Sequence, residues 1–463
     1  MNMSINLERF HETSLPKNLL DRDAFLSGLL SRVTTTKTDG WLQDLREEAA
    51  NWVRHSVVPN TREEEWRFTD LSPLKQVDFQ LGMFHVHNHV ETFHGTSLQS
   101  MILPEVSGRL VFVNGVYSPD LSNTENLPAG LIVGNLDVLP GEVVQEYLAQ
   151  SDSLRGVAIG AKEVFTALNT AALNDVAVVW VAKNVVVETP IHLLFISVSG
   201  ESATISQPRV LVVAESSSQV VLIEEYTNHR GTEDTEEEVY FTNGVTEIWV
   251  QENAQVTHNR VVREGAAAFH IGKTAVTQAK YSRYNCNAVT VGGKISRHNL
   301  EILQTGEQTE TTLNGLTVIA DNQLADTHSV LSLNHPHGVS KQLHKCIISD
   351  RAHGVFNGKI FVPKLAQLTD ASQLNRNLLL SSKSRIDTKP QLEITADNVK
   401  CAHGATVSQL EDDQIFYLQS RGIDENDARK LLVNAFATEI INFIPVPSLR
   451  ESLLKTVTSL ANK

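Results

Sequence analysis

The chain has 463 residues, 41% of them hydrophobic and 20% charged, with a formal net charge of -15; that is enough for a sizeable core in two or three structural parts. So acidic a balance, with no clustered Lys and Arg, excludes a general nucleic-acid binder. No run reaches the roughly 18 apolar residues of a membrane-spanning helix, and the N-terminal stretch has neither a signal-peptide h-region nor the acid-poor character of a transit peptide, so a cytoplasmic protein is expected.

In chain order, the first clear element is helical: Trp41, Leu42, Leu45, Ala49, Trp52 and Val53 share a face, and Pro59 follows as a stop. In "HVHNHV", His85, His87 and His89 share one side if extended. That geometry could grip a divalent metal, but with no acidic or Cys ligand alongside, a solvated polar segment is the plainer reading. From about 108 to 400 the text becomes short Val/Ile/Thr-rich runs between Gly, Asn, Asp and Pro, interrupted by one helical pattern, "KEVFTALNTAALND". Aromatics are sparse at 6%. A propeller would show a Trp-Asp signature or a repeat of roughly 40 residues, and an immunoglobulin sandwich a Trp between paired cysteines; neither is present. A solenoid of short strands remains. Its coils need no strict sequence period, and a parallel β-helix is the expected core.

Helix returns at the C-terminus. Asp424 is placed to cap a helix with Asp427 at its third position and a stripe of Ala428, Leu431, Leu432, Ala435, Phe436 and Ile440. After Pro445 and Pro447, Ser448 and Glu451 form a capping-box pattern for a last helix whose Leu449, Leu453, Val457 and Leu460 share a face. These two helices either close the open end of the solenoid or carry a partner.

Several motifs fail as catalytic signatures. Gly272, Lys273 and Thr274 in "HIGKTAV" lack the second phosphate-loop glycine, since Ala267 stands there. His335 and His337, with His328, His344 and His353 nearby in sequence, form a loose cluster that reads as decoration of turns, with one or two left as candidates near a metal. No G-x-S-x-G elbow is present. Cys286, Cys346 and Cys401 are the only cysteines; an odd number without any CxxC encodes neither a disulfide framework nor a self-contained zinc site. Cys401 and His403 stand out, because residues two apart on a strand point to the same side and could address one metal or cluster edge. Two ligands do not complete a site, and the alternative is a buried thiol beside a hydrogen-bonded histidine.

The stretches "SKQLHKCIISD", "VFNGKI", "NLLLSSKSRIDTKPQLEITADNVKCAHGATV" and "IFYLQSRGI", and more weakly "REEEWRFTDLSPL", "VFVNGVYS" and "VTEIWVQENAQV", resemble the SufD branch of the SufB/SufD family of iron–sulfur cluster assembly subunits. SufB-type chains read His-Glu-Ala-Thr-Thr where this one has His403 to Val407, and carry a cysteine where it has Ser384. Ala402 replaces the Ser common in the SufD pattern.

The resemblance implies a mainly β protein: a right-handed parallel β-helix (101–407) between an N-terminal helical region (1–100) and a C-terminal helical domain (408–463). It implies a non-catalytic scaffold that pairs with SufB, docks the ABC ATPase SufC through the C-terminal helices, and holds no cofactor tightly by itself. A nascent iron–sulfur cluster would be shared with SufB through His403 and Cys401, while Arg421, Leu432 and Phe436 would serve partner binding. SufC dimerisation on ATP would pull on the helical domains and open the SufB interface; the isolated chain could form a homodimer. The competing readings are a SufB-type paralogue and a solenoid carbohydrate-active enzyme, which would need a charged cleft on the solenoid's side.

Overall fold

A computed structural model describes residues 22–33, 40–82, 101–150, 163–198, 202–228 and 238–460. The segment holding His85, His87 and His89 lies outside these. Among the described residues two mainly parallel sheets, of 11 and 10 strands, stand face to face as a parallel β-solenoid of about seven turns. Strands alternate between the sheets, so each coil adds one strand to sheet A, which ends at Arg385–Ile394, and one to sheet B, which ends at Lys400–Ser408. Coils of roughly 30 residues fall within the usual range of solenoid repeats.

Strand register stays in step from coil to coil, which turns single residues into columns. Ile248, Val276, Ile302, Leu331, Ile360 and Leu392 stack along the inside of sheet A. On the outside of sheet B, Asn287 donates to the Asn259 side chain and Asn314 to that of Asn287, both at 2.9 Å. One corner of the coils is a second ladder, of residues in the left-handed region: Asn184, Ser217, Asn253, Tyr281, Gln308, His337 and Leu368. Each donates its backbone N–H to a carbonyl of the following coil. Because neighbouring coils satisfy one another's backbone, strands this short hold together without a sequence repeat.

Helices clothe the outer faces. Helix α1 (Ala24–Arg32), α2 (Trp41–Arg54), the short α3 (Ser72–Lys75) and, further along, α4 (Gly141–Tyr147) and α5 (Val164–Ala171) precede most of the solenoid. Leu26, Leu29, Val53, Trp66, Phe79, Phe165 and Leu168 bury against Phe241, Phe269, Ile271 and Ile295 on the outside of sheet A, each worth roughly 1.5–3 kcal/mol of apolar burial. The helical pattern expected after residue 160 is α5. The early amphipathic helix is α2, which stops at Arg54, ahead of Pro59.

At the other end come α6 (Asp412–Gln419), α7 (Glu425–Ile441) and α8 (Pro447–Leu460). Asp424 caps α7 as expected, accepting from the Asp427 amide at 3.0 Å. Three expectations change here. The buried stripe of α7 is Ala428, Val433, Ala437, Ile440 and Ile441, with Leu431 left 50% exposed; the face that meets sheet B is rotated from the one the spacing suggested. Ser448 makes no capping box with Glu451, because Pro447 already starts the helix and Glu105 takes the Ser448 amide and hydroxyl. The two helices do not close the solenoid's end. They lie on the flank of sheet B, where Val433, Ala437, Ile440, Leu449, Leu453 and Val457 meet Val261, Val289, Leu316 and Ile347, so among the described residues the last coil stays open.

Candidate functional site

Among the described residues the strand Lys400–Ser408 pairs only with Asp370–Leu379, from Asp370 with Lys400 to Leu378 with Ser408. Its other edge faces out, and seven of its nine residues are exposed. Cys401 and His403 do share a side of this strand, the one facing the solenoid's interior. Cys401 is half-buried against the inner apolar cluster, and burial pushes its thiol pKa up. His403 is exposed and stands in register with Gln373. The mouth of the last coil therefore presents an imidazole at the rim and a thiol one step inside. Among the described residues no three His, Cys, Asp or Glu side chains converge as a metal site.

The other predicted residues separate. His335 and His337 sit at a coil corner, His328 on the outer face of sheet A against Asp326 and Glu65, His344 inside on the Phe356 ring, and His353 with Asp387. They form no common site. Gly272, Lys273 and Thr274 lie in a strand, where Lys273 pairs with Glu301 and Gly272 makes room for Arg260. Cys286 and Cys346 are buried, and burial pushes the Cys346 thiol up to about 12.

The charged cleft that an enzyme would need does have a counterpart. A space of about 420 Å³ opens between Trp52, Trp66, Glu163 and the outside of sheet A. Its cations are paired, however: Lys273 with Glu301 within the space, Arg297 with Asp326 at 2.6 Å and Lys359 with Glu393 at 2.6 Å beside it, and Arg297 is stacked 3.8 Å above Trp66. The three ion pairs lie within the solenoid, and the Arg297–Trp66 stack joins the N-terminal region to it.

A model of the SufBD core domain of the SUF iron–sulfur assembly system matches residues 195–436, and one of the SufBD N-terminal region matches 31–193. The chain belongs to the SufB/SufD family. An iron–sulfur cluster assembly SufBD family protein of Synechocystis is 45% identical over 97% of both chains. The iron–sulfur cluster assembly protein SufD of Escherichia coli is 30% identical over 86% of this chain and 88% of its own, and SufD of Bacillus subtilis 24% over 90% and 93%. SufB/SufD proteins take part in iron–sulfur cluster assembly, and this member combines the family's solenoid with helices at both ends.

Of the residues expected to bind partners, Arg421 is exposed, with its guanidinium 4.8 Å from the Tyr417 ring. Leu432 is half-buried. Phe436 is half-buried too, its ring 4.2 Å from the Lys345 ammonium and its backbone carbonyl accepting from that ammonium at 2.9 Å, so much of it serves the contact with sheet B. In the C-terminal helical part the large apolar side chains left open are Phe416 (70% exposed), Tyr417 (55%), Leu431 and Phe443 (each 50%), of which the sequence reading named only Leu431, as part of the α7 stripe.

It also passed over a polar seam inside the solenoid. Glu224 accepts from Tyr226 at 2.7 Å and Thr246 at 2.9 Å and pairs with His258 at 2.9 Å. Burial alone would raise the Glu224 pKa, but the His258 and Arg260 charges outweigh it and hold it at about 2. For His258 burial pulls down, and Glu224 wins and raises it to about 9. Arg260, on the same strand as His258, reaches across to the opposite sheet and donates to His270 at 2.6 Å, and His270 pairs with Glu264 at 2.9 Å. These residues come from different coils and show no spacing that marks them in the text.

Proposed function

We propose that this chain is a SufD-type scaffold subunit: non-catalytic, paired with a SufB-type subunit along the open edge of the last coil, and bound through its C-terminal helices to the SufC ATPase. The observation that carries this is the exposed strand Lys400–Ser408, paired along one edge only among the described residues, with His403 on it. An edge of free backbone N–H and C=O groups is a template for a strand of another chain, and α6–α8 leave it uncovered. His403 then stands at the joint, where its imidazole serves as one ligand of a nascent iron–sulfur cluster that the SufB-type partner mostly holds; Cys401 is the reserve ligand, available once partner charges or iron deprotonate it. The cluster is cargo, assembled and released as ATP-driven motion of the ATPase, transmitted through α7 and α8 to sheet B, opens the joint. Ser384 and the His403–Val407 stretch favour the SufD over the SufB type.

The test is the cluster content of the chain co-expressed with its SufB-type and ATPase partners. His403→Ala should lower it at unchanged melting temperature, and His403→Cys should recover more than His403→Asn, since iron accepts a thiolate but not readily an amide. Normal content in the Ala variant would refute the ligand role.

A further inference from the structure

Gln373 lies opposite His403 on the neighbouring strand, roughly 4.8 Å away along the hydrogen-bonding direction of a sheet and on the same, inward side. It is 2% exposed and is held in a short relay: its amide nitrogen donates to Gln342 Oε1 at 2.7 Å, and the Gln342 amide nitrogen donates to Ser329 Oγ at 2.8 Å. The facing coil makes space for it at Gly358, where a Cβ would stand 2.2 Å from Gln373 Nε2. The relay has a direction. Both donations run from the side of the chain's last strand toward Ser329. Gln342 Oε1 is occupied, but Gln373 Oε1 is buried and has no partner. A buried acceptor left unmet costs its full desolvation, and the residue placed in register to meet it is a histidine.

We propose that Gln373 is a positioning residue for His403. It accepts a hydrogen bond from one imidazole N–H, which fixes the tautomer and leaves the lone pair of the other ring nitrogen facing out of the coil, toward the iron of the incoming cluster. This rests on the reading of His403 as a ligand. Histidine ligands almost always donate their second N–H to an oxygen acceptor, and loss of that acceptor typically weakens binding or activity roughly 10–100-fold. Because the Ser329 hydroxyl can donate as well as accept, the relay can reverse and tolerate a residue that only accepts. Gln373→Glu therefore preserves the contact to His403, whereas Gln373→Met keeps the volume and removes it.

Nitrogen-15 NMR of the histidine-labelled full chain reads the tautomer directly, at mildly alkaline pH where an ordinary histidine is neutral, with the His403 signal assigned by its loss in His403→Gln. One tautomer is expected to dominate in the wild type and in Gln373→Glu, and a mixture in Gln373→Met. In the complex with the SufB-type and ATPase partners, anaerobic reconstitution with iron and sulfide should give roughly tenfold less cluster for Gln373→Met and near wild-type content for Gln373→Glu, at unchanged melting temperature. A mixed tautomer in the wild type overturns the proposal even if the Met variant fails to fold; so does an unaltered tautomer in a folded Met variant, or a shifted tautomer with normal cluster content. Normal cluster content in His403→Ala sinks the ligand reading instead, while the tautomer still reports whether the Gln373 bond exists.

Discussion

Glu105 and Ser448, far apart in the chain, are joined twice: the Ser448 amide donates to Glu105 Oε1 at 2.9 Å and its hydroxyl to Oε2 at 2.6 Å. A carboxylate from the segment leading into the solenoid thus caps the last helix, whose first-turn N–H groups have no partners of their own. Glu105→Ala should cost about 1–2 kcal/mol, the usual worth of a helix cap, and should speed hydrogen exchange in α8 more than in the strands. Equal exchange in α8 of both proteins would show that the link is idle.

The open apolar side chains of α6 and α7 make a sharper docking test than the residues the sequence suggested. Phe416→Glu with Leu431→Glu should weaken ATPase binding at least tenfold, of the order reported for anchor residues, and leave the melting temperature unchanged, because both are at least half exposed. Phe436→Glu should instead lower the melting temperature, since its ring lies against sheet B. A pull-down in which the Phe416 and Leu431 double variant holds the ATPase at wild-type level counts against this face.

The Glu224–His258 pair gives stability a pH signature. His258 has its folded pKa raised to about 9 from an ordinary 6.5, so its contribution is complete below 6.5 and fades as pH rises through 9. Glu224 is depressed to about 2 from 4.5; its contribution is complete above 4.5 and fades as pH falls toward 2. Between 6.5 and 9 the folded state holds one proton more than the unfolded chain, a slope of at most about 1.4 kcal/mol per pH unit. Denaturant unfolding of wild type should show falling stability across that window, and His258→Gln a flatter line at lower overall stability. Parallel curves for the two proteins would contradict the assignment.

Leu368 occupies the left-handed corner ladder at φ 61°, a conformation that costs an ordinary residue roughly 1–2 kcal/mol and asparagine less. The same ladder uses Asn184 and Asn253. Leu368→Asn should therefore raise stability by a few tenths to about 1 kcal/mol, since the leucine is half exposed and little burial is lost. Thermal unfolding checks it, and a lowered midpoint would mean that the leucine contact outweighs the strain.

What the text of the chain determines by itself is local. Short runs of β-branched residues, the Asp424 cap and the amphipathic α2 were all legible, because each depends on residues within a turn or a strand of one another. So was the shared side of Cys401 and His403, since a two-residue spacing on a strand puts both on one side. The tertiary structure decided the rest. It put α7 and α8 on the flank of sheet B and left the last coil open, set Glu105 in place of the expected capping box, and gathered Glu224, His258, Arg260 and His270 into one seam. It also placed Gln373, roughly one coil earlier, beside His403. Those relationships depend on the length of each coil, and coil length is set by how neighbouring turns close their backbone hydrogen bonds, which no short stretch of sequence records.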